Sequence, residues 1–251
     1  MRAAGLALCM AWIGSAVPAL AADPQVARLG IFEFEPWGME RDGDAAGIVW
    51  DQARELFAGS GVKLEPVVLP YPRMQEFLRE GKLDVGLFIR YEQNGDYLDF
   101  VSPLHELKVV VISPRGSAFA KYADFAGKSV GFPLGGSGFF SKLYADAQIR
   151  RVELETQRQG VQMIAAGRLD GFVGIDKTIA YEMNKAGLGE KVTFPGFEAA
   201  TLEVWLQISK KSKLSAAQRA ALEARCAELR KQGAFDRIVD AWISQKAAAS
   251  E

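Results

Sequence analysis

The strongest constraint in this sequence is a junction that occurs twice. Residues 80–85 read Glu80-Gly81-Lys82-Leu83-Asp84-Val85, and residues 166–171 read Ala166-Gly167-Arg168-Leu169-Asp170-Gly171. In each, a helical pattern stops at a glycine, a base and a leucine follow, and an aspartate precedes an apolar run. A glycine can take the left-handed conformation that closes a helix, so each copy reads as a helix exit feeding a buried strand. The surroundings repeat as well. Residues 26–34, 62–69 and 83–89 are strand-like, and helical spacings at 48–57 (Ile48, Val49, Ala53, Leu56, Phe57) and 72–78 alternate with them. A second series has a strand after Gly127, a glycine turn at 135–138 leading into a helix, a helix at 159–166 and a strand at 171–175. Such alternation predicts mainly parallel strands layered with helices, and the repetition predicts two related α/β lobes. The tail reads as helical. Ser215 is an N-cap, Ala217, Leu222, Cys226 and Leu229 share a face, Gly233 is a stop, and Phe235, Ile238, Val239 and Trp242 line a second helix.

Composition narrows function. Thirty Lys+Arg against 31 Asp+Glu leave a formal charge of −1, which lacks the basic excess of a nucleic-acid binder. One His and two Cys exclude a His- or Cys-rich metal centre, and no metal or cofactor is expected. Residues 1–21 stand apart. Arg2 is followed by an uncharged, apolar stretch ending at Ala19-Leu20-Ala21, which reads as a secretory signal peptide cut after Ala21. Cleavage leaves Cys226 as the one thiol, expected as a core residue.

Apparent catalytic motifs fail. Gly127-Lys128-Ser129 resembles the end of a phosphate-binding loop, but Tyr122 stands where its first glycine belongs and a strand follows instead of a helix. Residues 135–139 resemble a nucleophile elbow, but Phe139 replaces the closing glycine. His105 is the chain's one imidazole and sits beside Glu106. The glycine run leaves two readings open: an ordinary tight turn, or free N–H groups and the Ser137 hydroxyl holding an anion at a helix start.

Taken in order, several local motifs resemble those of the extracellular solute-binding proteins of family 3, periplasmic receptors for amino acids and related solutes. They are Phe34-Glu35-Pro36-Trp37, Gly47-Ile48-Val49-Trp50-Asp51, Arg73 with Gly81-Lys82-Leu83-Asp84, Leu98-Asp99-Phe100-Val101-Ser102-Pro103, and Leu229 to Gly233 with Phe235 and Trp242. The resemblance implies two α/β lobes joined by crossing hinge strands, with a ligand cleft between them (a type II periplasmic binding fold). Lobe 1 would comprise residues 22–107 and 207–251, and lobe 2 residues 108–206. It implies a monomeric, non-enzymatic periplasmic receptor that captures a small polar organic solute, amino-acid-like or related, and delivers it to ABC transporter membrane subunits or signals to a membrane sensor. An enzyme on the same scaffold, resembling cyclohexadienyl dehydratases, is the alternative, with Glu33, Glu35, Asp176 or His105 as candidate acids.

The same resemblance assigns binding residues. Trp37 matches an aromatic that lines the ligand, though a buried core role is also open. Gly136, Ser137 and Gly138 match a loop that holds a carboxylate. Asp176 matches the acid that takes the ligand's amino group, or else it caps a helix. The family's carboxylate-clamping Arg falls at Asn94 here, and a neutral amide cannot form the charge-assisted bidentate pair. Arg90 at a strand end, or Arg73 on the second helix, is expected to substitute, unless Arg90 is spent on Glu92 or Asp96.

Overall fold

The computed structural model describes residues 25–134 and 140–244. The expected leader at 1–21 and the glycine turn at 135–138 lie outside the described residues. The first series is β1 (Gln25–Phe32), a hairpin of β2 (Met39–Arg41) and β3 (Asp44–Ala46), α1 (Ile48–Phe57), β4 (Val62–Leu69), α2 (Tyr71–Glu80) and β5 (Val85–Ile89). A 17-residue strand, β6 (Leu98–Pro114), leads to the second series. That series is β7 (Ser129–Pro133), α3 (Ser141–Tyr144), β8 (Arg150–Leu154), α4 (Gln157–Ala165), β9 (Gly171–Ile175) and α5 (Asp176–Ala186). The 18-residue β10 (Val192–Ser209) returns to the first half, and α6 (Ala216–Lys231) and α7 (Ala234–Ile243) end the described chain.

The strand order is β4-β1-β5-β10-β6-β9-β7-β8. β1 pairs in parallel with β4 and β5, and β7 pairs in parallel with β8 and β9. The two long strands pair antiparallel with each other along their length and join the halves. This is the two-lobed arrangement with crossing strands. The proposed lobe boundaries at 107/108 and 206/207 fall inside β6 and β10.

Each half has its own core, and β1, α1, α6 and α7 share theirs through residues such as Leu29, Leu56, Leu222 and Phe235. Cys226 is fully buried there, as its helical phase predicts. In the second half Phe172, Ile179 and Val161 pack on one face of the strands, and Phe125, Phe132 and Val173 on the other. Gly81 (φ 78°) and Gly167 (φ 66°) take the left-handed exits that the repeated junction requires. α6 starts at the expected Ser215 with a reciprocal capping box to Gln218. Among the described residues no helix is long and apolar enough to cross a membrane.

Candidate functional site

Parallel strands end where helices begin, and α/β ligand sites gather at those carboxyl ends. Here the ends of both sets converge on a cavity of about 320 Å³. The first half contributes Phe32 at the end of β1 with Glu33 and Phe34 after it, Leu87, Phe88, Ile89 and Tyr91 from β5 onward, Val49 and Gln52 on α1, and Tyr71, the first residue of α2. The second half contributes Pro133, Leu134, Phe140, Ile175 and Gln157, the first residue of α4. Leu107 and Val204 line it from the crossing strands.

Trp37 is set in this wall by the start of α1. Gly47 (φ 116°) precedes the helix, and a Cβ there would stand 2.6 Å from the Trp37 carbonyl oxygen. That close approach lets the carbonyls of Pro36 and Trp37 accept the N–H groups of Ile48 and Val49 at 3.0 and 2.9 Å, satisfying donors that α1 leaves open. The Trp37 indole is 4% exposed, donates to Thr178 Oγ1 on α5 at 2.9 Å, and stacks on the His105 ring at 6.0 Å. It is therefore both core and cavity wall. Beside it, Glu35 accepts from Tyr181 at 2.5 Å and Lys185 at 2.7 Å, both on α5. Burial acts to raise the Glu35 carboxyl, and these two hydrogen bonds overcome it and hold the group below its ordinary range.

The other expected site residues are placed less simply. Arg73 points away from the cavity: on exposed α2 surface it pairs with Glu76 at 2.6 Å and lies 4.4 Å over the Phe77 ring. Arg90 follows the lining residue Ile89, but its guanidinium pairs with Glu92 at 2.8 Å and lies 4.6 Å from both the Phe100 and Trp205 rings. Neither basic side chain lines the cavity. Asp176 opens α5 directly after the lining Ile175, and its carboxylate accepts the Lys108 N–H of β6 at 3.0 Å. Burial holds its carboxyl above the usual range, against the N–H groups of Lys108 and Lys177. Gly136, Ser137 and Gly138 lie outside the described residues.

Of the four candidate acids, Glu33 alone lines the cavity. His105 is 4% exposed behind Trp37, and burial pushes its imidazole down to about 4, out of reach of a solute.

Sequence reasoning missed Gln52, Tyr71, Tyr91, Phe88 and Gln157. Burial holds the Tyr71 and Tyr91 phenols well above their ordinary range, so both stay protonated. Gln52 is fully buried, donates to the Phe235 carbonyl at 3.4 Å and leaves Oε1 unpartnered. Gln157, 8% exposed, also leaves Oε1 unpartnered. The usable signal was positional: Tyr71 and Gln157 open the equivalent helices of the two series.

Solved structures with this fold include a histidine kinase sensor domain with similarity to periplasmic binding proteins (19% identity, TM-score 0.66, covering 88% of this chain and 96% of that one). An ancestral arginine-binding protein bound to arginine is 23% identical, with TM-score 0.66 and coverage of 88% and 99%. The substrate-binding protein of an amino acid ABC transporter is 18% identical, with TM-score 0.63 and coverage of 88% and 100%. Among curated proteins none matches this sequence. The profile of the bacterial extracellular solute-binding proteins, family 3, matches residues 28–245. Two strand series meeting at a cavity, joined by two crossing strands and matched over most of the length, make this chain a member of the bacterial extracellular solute-binding proteins, family 3.

Proposed function

We propose that this protein is a periplasmic receptor, freed of residues 1–21 on export, that captures a small organic solute between two lobes and delivers it to the membrane subunits of an ABC transporter. The observation that carries this reading is the cavity walled by both halves at the ends of their parallel strands. Its volume lies near the lower end of the ~300–1,000 Å³ of small-molecule sites. The moving bodies would be residues 22–107 with 207–251 and residues 108–206, with β6 and β10 as hinge. Trp37 would contact the solute. Asp176, at the start of α5, would meet it from the second half, and Gly136, Ser137 and Gly138 are proposed to supply further donors.

A thermal-shift screen tests this. The chain would be purified from the periplasm, stripped of ligand by unfolding and refolding, and offered amino acids, amines, dicarboxylates, short peptides and aromatic acids. Ligand at 100 times its Kd adds about 2.7 kcal/mol, which raises the melting point of a chain this size by roughly 5–10 °C. A flat response across all classes counts against the receptor. Turnover of prephenate or arogenate would replace it with an enzyme. An intact residue 1–21 segment on protein purified from the periplasm would overturn cleavage after Ala21.

A second reading, a receptor that signals to a membrane sensor, is favoured by the similarity to a histidine kinase sensor domain. Binding alone does not separate the two. Reconstitution with the membrane subunits of a transporter, with solute uptake as the readout, does.

A further inference from the structure

The receptor reading leaves the solute's chemistry open, and the cavity wall constrains it. Among the described residues no Lys or Arg lines the cavity. Arg90, the nearest in sequence, is engaged by Glu92 and by two aromatic faces. A free carboxylate entering this space would meet no full positive charge there to replace its water. Among the described residues the one charged group lining the cavity is Glu33, which is exposed and makes no ion pair with any of them. Its neighbour Glu35 is neutralised by Lys185. One of two acids on the same loop is thus balanced by the protein, and the one at the cavity is not.

The rest of the wall fits a cation with an apolar body. Phe34, Trp37, Tyr71, Phe88, Tyr91 and Phe140 supply aromatic surface, and ring faces attract organic cations. Gln52, fully buried in α1, lines the cavity with an unpartnered carbonyl oxygen, an acceptor for an ammonium or amide N–H.

We propose that the cleft takes an organic amine of arylalkyl type, with its ring among the aromatic side chains, its ammonium toward Glu33, and no carboxylate. This rests on the receptor reading and narrows it. It also separates this cleft from one built to clamp an α-amino acid.

Three probes share a phenylethyl body and differ in the charged groups they carry: phenethylamine an ammonium, L-phenylalanine an ammonium and a carboxylate, and 3-phenylpropanoate a carboxylate. Their affinities for the full chain, stripped by unfolding and refolding, would be measured by titration calorimetry. The expected order is phenethylamine at least ten-fold tighter than L-phenylalanine, with no measurable binding of 3-phenylpropanoate. Glu33→Gln should weaken phenethylamine at least ten-fold while leaving the ligand-free melting temperature unchanged. Equal or tighter binding of either carboxylate-bearing probe overturns the proposal. So does phenethylamine binding indifferent to Glu33→Gln, or no phenethylamine binding at millimolar concentration. If phenethylamine fails while another class in the wider screen binds, the amine assignment falls and the receptor stands. If nothing binds, both fall.

Discussion

The two halves of the molecule share a frame and differ in what they do with it. Asp84 accepts the N–H of Arg28 on β1 at 2.9 Å, and Asp170 accepts the N–H of Ser129 on β7 at 2.8 Å. A Cβ on Gly30 would stand 2.8 Å from Leu83 Cδ1, and one on Gly131 would stand 2.8 Å from Leu169 Cδ1. The repeated Gly-base-Leu-Asp stretch is thus one device used twice. The glycine ends the helix, the leucine fills the space above a glycine of the central strand, and the aspartate accepts a main-chain N–H of that strand, from Arg28 within β1 and from Ser129 at the start of β7. The walls of the cavity do not repeat. The first half brings Trp37, Tyr71 and Tyr91, and the equivalent of Tyr71 in the second half is Gln157. The frame is a folding solution that either half can use, whereas each half brings its own side chains to the wall.

The largest break in this comparison is expected at Trp37, where frame and wall coincide. Trp37→Ala should cost about 3–5 kcal/mol, the range for a buried aromatic, and also abolish solute binding. Urea unfolding and the thermal-shift screen measure the two. A loss of binding with stability unchanged would show that Trp37 belongs to the wall alone.

Acid should act next, and on the first half. His105 on β6 stacks behind Trp37, and burial lowers its pKa from 6.5 to about 4. The N–H···O contact with Glu106 and the charge of Asp236 oppose that, and the charge of Lys177 adds to it. Because the fold prefers the neutral ring, the unfolded chain takes up the proton first. Stability is full above pH 6.5 and falls as pH drops from 6.5 to 4, by about 3 kcal/mol from this group. His105→Asn should show a flatter profile over that window. The described tryptophans at 37, 50, 205 and 242 lie in the first half or on β10, so their fluorescence reports the affected side. Parallel profiles for the two proteins would sink the assignment.

The duplicated junction can itself be graded. Asp84 is 6% exposed and also holds the Arg28 side chain at 3.1 Å, whereas Asp170 has a more open side chain. Removing an acceptor from a buried donor costs about 1–3 kcal/mol. Asp84→Ala should therefore lie near the top of that range and Asp170→Ala near the bottom, by urea unfolding. The hydrogen bonds from Ser129 hold the Asp170 carboxyl below its ordinary range. Its contribution should be complete above pH ~4 and fade as pH falls below that. Equal losses for the two variants would mean that burial does not distinguish the copies.

The frame was legible because it is written in local grammar. Glycines at helix exits, the Ser215 cap and the apolar spacing of 48–57 each act within a few residues, and the structure begins and ends α1 at the expected positions. The wall was legible only where it carried a motif, as at Trp37. Tyr71, Tyr91 and Gln157 face the cavity because of how distant strand ends converge, and no spacing along the chain encodes that. The directions of the arginines were not legible for the same reason. A charge count identifies candidates for a clamp but not the direction in which each points.

Arg73 provides the smallest and sharpest test of that distinction. It is the third residue of α2, two positions from the cavity-lining Tyr71, and a helix turns about 100° per residue, so it faces solvent. Its pair with Glu76 is half-exposed on both sides, and such surface pairs are worth only about 0–1 kcal/mol. Arg73→Ala should change stability by less than about 0.5 kcal/mol and leave solute affinity untouched. Tyr71→Ala, two residues away, should weaken binding. A ten-fold affinity loss for Arg73→Ala would mean that α2 turns its basic face into the cleft when the solute binds, and the division between frame and wall would have to be redrawn along that helix.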